Sequence, residues 1–160
     1  MSPAPSHQAN EIPVTKLALR VGQDIGVSQP RSFSLEELVV YGRMVGDTHW
    51  MHTDPERCAR ESPFGKPVVH WHRLLAAVTE LSNEAFQVTG STSEIFYGID
   101  RARNPAPLLV DEECTATVHL VAVEEVSPNV HHASLRMTFN KKGEAKPVGV
   151  VEYAKRWIVD

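Results

Sequence analysis

The chain reads as an α+β domain in which one long central helix is wrapped by a curved antiparallel sheet, and three observations predict it. Trp71, Leu74, Leu75, Val78, Leu81 and Ala85 recur at three- and four-residue steps in the run that Pro67 opens, an apolar stripe broad enough to pack on a sheet. After Gly90 the period changes to two. Ala116, Val118, Leu120 and Ala122 alternate with Thr115, Thr117, His119 and Val121, and Ala133, Leu135, Met137 and Phe139 alternate with His132, Ser134, Arg136 and Thr138. Asn140-Lys141-Lys142-Gly143 then reads as a hairpin turn before a last strand from Val148 to Ile158, which makes the C-terminal half a meander. A long helix followed by antiparallel strands is the pattern of the α+β class.

The 160 residues are enough for one domain with a substantial core, and 42% apolar with 22% charged residues is ordinary globular composition. A net charge of -4 supplies no basic field for nucleic acid. No apolar run is long enough to cross a bilayer, and MSPAPSHQAN lacks the charged start and apolar centre of a secretion signal. Cys58 and Cys114 have no metal-type spacing and suit free thiols in a reducing compartment, so the expected location is cytoplasmic and neither membrane nor nucleic acid is an expected partner.

Residues 1–13 hold three prolines among small polar residues and read as a flexible arm, leaving 14–160 as the domain. Leu17 to Val27, with two glycines, reads as a short irregular strand whose Val-Gly-Gln-Asp suits a turn. Ser34-Leu35-Glu36-Glu37 is a capping box, and Leu35, Leu38, Val39 and Met44 give the following helix one apolar face ending at Gly46. Thr53-Asp54-Pro55 reads as the cap of a second, short helix that stops near Ser62-Pro63.

Between Tyr41 and Leu75 lie four of the eight histidines and two of the three tryptophans, beside Asp47, Asp54 and Glu56. Asp47 and His52 are the candidate catalytic pair. A five-residue offset points two side chains about 140° apart on a regular helix, so they converge only if Thr48 to Met51 break the helix. Gly46 before them and Asp54-Pro55 after them supply that break. A carboxylate and an imidazole brought together can share one water, one accepting a proton and the other passing one on, which is hydration or dehydration chemistry.

VGDTHWMHTDPERCA followed by FGKPVVHWHRLL resembles the MaoC-like family, which includes (R)-specific enoyl-CoA hydratases and related dehydratases of the hot-dog fold. A weaker likeness runs from Phe96 to Val118. The resemblance implies a single hot-dog domain, no organic cofactor or metal, and an enoyl or 3-hydroxyacyl thioester substrate on coenzyme A or an acyl carrier protein. It implies that Asp47 and His52 hold the water and that the Trp71 N–H, at the start of the long helix, holds the thioester oxygen. It also implies a homodimer joined through its sheets. His70, His49, Trp50, Thr79, Arg101 and Arg103 complete the expected substrate-binding set, the two arginines either as partners for a phosphate of the carrier or as plain solvated loop charges, the commoner case. Three positions depart from the family pattern: His49-Trp50 stands for its Asn-Pro, His70-Trp71 for its His-Gly, and Val110-Asp111 for its Gly-Asp. The indole at position 71 is expected to narrow the acyl or pantetheine path.

Other readings stand beside this one. His49, His52, His70 and His72 with Asp47 have spacings that suit a metal, although a strict strand would point His49 and His52 to opposite faces and a strict helix would do the same to His70 and His72. A non-catalytic binding protein on the same fold is another. A hot-dog thioesterase would instead use a carboxylate on the long helix, such as Glu80 or Glu84.

Overall fold

Leu74, Ala77, Val78, Leu81, Ser82 and Ala85 are buried on one face of the long helix, in a computed structural model that describes residues 9–160. In chain order the elements are β1 (Asn10–Pro13), a 3-10 helix (Val14–Arg20), β2 (Asp24–Val27), α1 (Leu35–Val45), α2 (Trp50–Thr53), α3 (Pro55–Glu61), α4 (Trp71–Ala85), β3 (Phe86–Thr89), β4 (Ser93–Arg103), β5 (Cys114–Ser127), β6 (Val130–Lys141) and β7 (Gly149–Ile158). Five strands form one antiparallel sheet in the order β2-β5-β6-β7-β4, and β1 pairs with β3 in parallel as a separate ribbon. The inner face presents Cys114, Ala116, Val118 and Leu120 from β5, Ala133, Leu135, Met137 and Phe139 from β6, and Val151, Tyr153 and Trp157 from β7 to the core against α4. Burying each Val, Leu, Met or Phe of this set contributes about 1.5–3 kcal/mol. Among the described residues no helix is long and apolar enough to cross a membrane.

Several elements differ from expectation for identifiable reasons. Of the arm expected over residues 1–13, residues 1–8 lie outside the described residues, and Asn10–Pro13 form β1 instead, with Ile12 buried. The irregular strand expected from Leu17 starts instead as a 3-10 helix, whose three-residue turn puts Val14 and Leu17 on one buried face. Ser34 caps α1 as expected, accepting from the Glu37 N–H, but Glu37 does not complete the box because its carboxylate is taken by Arg31 and Arg73. Met44, expected on the inner face of α1, is 74% exposed. Ala122, expected inward, is exposed because a bulge between Leu120 and Ala122 resets the alternation of β5. The turn after β6 begins at the expected lysines, but the chain reaches β7 only at Gly149.

Lys155 projects from β7 into the core with no exposure. Its ammonium donates to Glu94 at 2.5 Å and to Asn83 at 2.8 Å, while the Trp157 indole N–H donates to the other Glu94 oxygen at 2.8 Å. This knot ties β4 and α4 to β7. Burial pulls the Lys155 pKa down and Glu94 opposes it. Glu94→Ala would leave the buried ammonium bonded to Asn83 but without its counter-charge, at a cost of about 3 kcal/mol. Urea unfolding measures it, and a cost below about 1 kcal/mol would mean the knot is not what anchors β4.

Candidate active site

Gly46 closes α1 with a left-handed backbone (φ 78°), and the Gly42 carbonyl accepts from both the Gly46 and Asp47 N–H groups, the latter at 2.9 Å. The chain then leaves the helix for three residues before His49 caps the single turn α2, its ring accepting from the Met51 N–H. That break undoes the 140° divergence, and His52 Nε2 comes to 4.0 Å from Asp47 Oδ2. Asp54 caps α3 through the Arg57 N–H, with Pro55 in the first turn, as its sequence requires. The segment before α4 is tied on both sides: Val68 N–H donates to Met51, Val69 N–H to Leu108, and Val110 N–H to Pro67.

His52 Nδ1 lies 2.6 Å from the Val68 carbonyl. A carbonyl can only accept, so Nδ1 carries the proton and, in the neutral ring, Nε2 presents its lone pair toward Asp47. His70 is buried at 1% exposure, and its Nε2 donates in the same way to the Asp47 carbonyl at 3.0 Å. The His52 and His70 rings stack with centroids 3.9 Å apart and 22° between planes. The close approach explains Gly42: a Cβ there would stand 2.5 Å from the Asp47 carbonyl oxygen and 3.3 Å from His70 Nε2.

Sequence reasoning grouped His72 with Asp47 only as a candidate metal ligand and missed it as the nearest partner of the carboxylate. His72 Nε2 lies 3.2 Å from Asp47 Oδ2, and His72 Nδ1 lies 3.1 Å from the Tyr41 hydroxyl. His70 and His72 both reach Asp47 because His70 precedes the helical residues as N-cap while His72 sits in the first turn. The crowding of histidines was the available signal; the pairing with Tyr41, 31 residues away, was not.

Burial works to raise the Asp47 pKa, but the His49 N–H, the His72 side chain and the neighbouring His52 and His70 outweigh it and hold the carboxyl below the ordinary value. Burial holds the His70 pKa below the ordinary imidazole value despite its bond to Asp47, which favours a neutral ring. Asp47, His52 and His70 offer one ligand atom each within 4.8 Å of one another. Lone pairs of near-parallel stacked rings run side by side, however, so both imidazoles could reach one ion at about 2.1 Å only if a ring turned and broke its carbonyl bond.

The remaining expected residues divide. His49 is in the cluster, its ring 6.4 Å from that of His52 and its N–H 3.5 Å from Asp47 Oδ1. Trp50 lies on α2 beside His49, covered by the Arg57 guanidinium at 4.5 Å. The Trp71 and His72 N–H groups open α4 and pair with no acceptor among the described residues, while those of Arg73 and Leu74 bond to the His70 carbonyl. The Trp71 indole turns inward, against Gly149, whose hypothetical Cβ would stand 3.0 Å from the ring, and near Leu74. Thr79 is exposed two turns along α4 and away from the cluster. Arg101 and Arg103 are exposed on β4, opposite Glu152 and Val150, on the outer face of the sheet away from α4. The single chain does not bring them to Asp47. Glu80 is engaged by Arg31 at 3.3 Å.

A helix wrapped by this sheet is also the fold of solved hydratases. The (R)-hydratase from A. caviae involved in PHA biosynthesis superposes with a TM-score of 0.68 at 24% identity, over 84% of this chain and 94% of that one. A MaoC-like dehydratase from Rhodospirillum rubrum gives 0.70 at 16% identity, over 88% and 93%. These define a hot-dog domain. In sequence, the 3-hydroxyacyl-thioester dehydratase Z of Mycobacterium tuberculosis is 34% identical over 145 residues, 91% of this chain and 95% of that protein. The family profile described as MaoC like domain matches residues 16–140. The chain belongs to the MaoC-like family, and it is an enzyme of the hydro-lyase class.

Proposed function

We propose that this enzyme adds water to an enoyl thioester, or removes it from a 3-hydroxyacyl thioester, carried on coenzyme A or an acyl carrier protein. The gap of 4.0 Å between Asp47 Oδ2 and His52 Nε2 carries the reading. It is too long for a direct hydrogen bond and has room for a third oxygen within about 2.8 Å of both. A water there donates one O–H to the carboxylate and the other to the bare imidazole nitrogen, and a substrate hydroxyl in the same place donates its single O–H to one of the two. In hydration, the water oxygen bonds to Cβ as His52 Nε2 takes its proton, and the double-bond electrons move onto the thioester oxygen. The Trp71 N–H receives that oxygen, where the helix terminus favours negative charge. The proton then passes to Cα as the enolate collapses, and dehydration is the reverse. The similarity to a 3-hydroxyacyl-thioester dehydratase supports the substrate class.

The same reading includes a homodimer. β4 is an edge strand of 11 residues, and Ile95, Phe96, Tyr97 and Ile99 on it are exposed between 36% and 55%. An unpaired apolar edge of this length favours joining to a second copy. Light scattering is expected to give about twice the 17.8 kDa of one chain, and Ile99→Lys to shift it toward one; a monomeric parent would remove the dimer from the account. The buried free thiols Cys58 and Cys114 suit cytoplasmic residence.

Assaying hydration and hydrolysis on one panel of enoyl and saturated acyl thioesters tests the function. Loss of the conjugated double bond without release of free thiol is expected. Thiol release alone would make the protein a thioesterase.

A further inference from the structure

Asp47 is the residue on which the proposed chemistry turns, yet among the described residues its shortest side-chain to side-chain contact is with His72, at 3.2 Å. Oδ1 has only a long bond, 3.5 Å, from the His49 N–H. His72 is half-exposed and contributes nothing to the core, so packing does not account for its orientation. Two polar contacts do. Nε2 points at the carboxylate and Nδ1 at the Tyr41 hydroxyl, and the Tyr41 and His72 rings lie 5.4 Å apart with 37° between planes. In the neutral ring one arrangement satisfies all three groups: the Tyr41 O–H donates to Nδ1, and Nε2–H donates to Asp47.

We propose that His72, oriented by Tyr41, is a positioning residue for the proposed reaction: it holds the Asp47 carboxylate in its reactive rotamer and favours its ionised form. This rests on the reading of Asp47 as the group that binds the reacting oxygen. Oδ2 is shared between the His72 donor and the gap facing His52. A hydrogen bond to the ionised form favours that form, and His72 is one of the contacts that lower the Asp47 pKa against its burial. Other groups around the pair are His49 from the loop, His52 from α2, buried His70 ahead of α4, and Tyr41 from α1. Arg73 lies over the Tyr41 ring at 5.8 Å and bonds to Glu37. Tyr41 also lines a groove of about 480 Å³ along α1, with Val40, Met44 and Arg73, so the chain of hydrogen bonds runs from the carboxylate to an open surface.

The sign of the pH effect follows. Asp47 is useful as a carboxylate, so its protonation contributes, beside that of the His52 base, to the fall in activity as pH drops. Without the His72 donor the Asp47 pKa rises, and the acid limb of the rate profile moves to higher pH. His72→Phe keeps the ring volume and loses both nitrogens; it is expected to lower kcat about tenfold with KM within about twofold, and to move the acid limb upward. His72→Gln keeps a donor and is expected to restore most of kcat and the parent limb. Tyr41→Phe should give a smaller loss, about threefold, in the same direction. The double variant Tyr41→Phe/His72→Phe should be no slower than His72→Phe, because the hydroxyl acts through the imidazole. Thermal melts confirm that each variant is folded. If His72→Phe retains the parent kcat and pH profile while Asp47→Asn is inactive, the role given to His72 is wrong and the Asp47 reading stands. Equal losses in the Phe and Gln variants, or a change confined to KM, also overturn it. If Asp47→Asn itself turns over normally, the functional reading fails first.

Discussion

Asp47→Asn and His52→Ala are each expected to lower turnover of an enoyl or 3-hydroxyacyl thioester by at least about a hundredfold, the usual scale for a positioned proton-transfer group. Asparagine keeps the size and one acceptor oxygen but replaces the other with an amide that donates, so the gap facing His52 Nε2 can no longer hold a water between two acceptors. Alanine at 52 removes the base and its anchor to the Val68 carbonyl. Both residues are partly exposed on a loop or a one-turn helix and neither belongs to the buried core, so melting temperatures should change little. Steady-state kinetics on one substrate, alongside thermal melts, makes the comparison. Either variant with near-parental kcat would remove that residue from the mechanism.

Trp71→Gly is expected to cost about 3–5 kcal/mol, which for a domain of this size lowers the melting temperature by roughly 10 °C or more. The indole fills space between the start of α4 and β7, where Gly149 has no side chain to compete with it and Leu74 stands nearby. Removing it leaves a cavity beside the N–H groups that open α4. The backbone donor proposed for the thioester oxygen is retained, so the folded variant should shift its acyl preference toward bulkier groups by roughly ten- to two-hundredfold while its pH profile is kept. Gly149→Ala tests the packing independently. Its Cβ would lie 2.9 Å from the Phe139 ring, 3.0 Å from the indole and 3.3 Å from Leu74 in the parent; loss of Trp71 removes the second of these and opens space into which Leu74 can move, so the two substitutions should couple. Additive costs, or an unchanged melting temperature for Trp71→Gly, would show that the indole is not packed in this way.

Much of the fold was legible because its signals are local. The α4 stripe, the alternation on β5 and β6, the Ser34 cap and the Gly46 stop each depend on a few consecutive residues, and all are present. The break between Asp47 and His52 was legible for the same reason. Pairings distant in sequence were not. β4 precedes β5 in the chain but joins the sheet on the far side of β7, and β1 finds β3 across more than seventy residues. No local pattern encodes such a partner. The contact between His72 and Tyr41 is of this kind. His-Trp-His at the start of a helix suggested that only one histidine would face the site, since a two-residue step turns side chains about 160° apart on a regular helix. His70 as N-cap breaks that regularity, so a buried and an exposed histidine meet the same aspartate.

A crystal structure of the Asp47→Asn variant with a 3-hydroxyacyl thioester bound tests the central claim most directly, because slow turnover should let the substrate persist. The β-hydroxyl is predicted to lie within about 3 Å of both the side chain at position 47 and His52 Nε2, with the thioester oxygen facing the Trp71 N–H. A hydroxyl bound elsewhere, or a thioester carbonyl presented to Glu80 or Glu84 on α4, would contradict it.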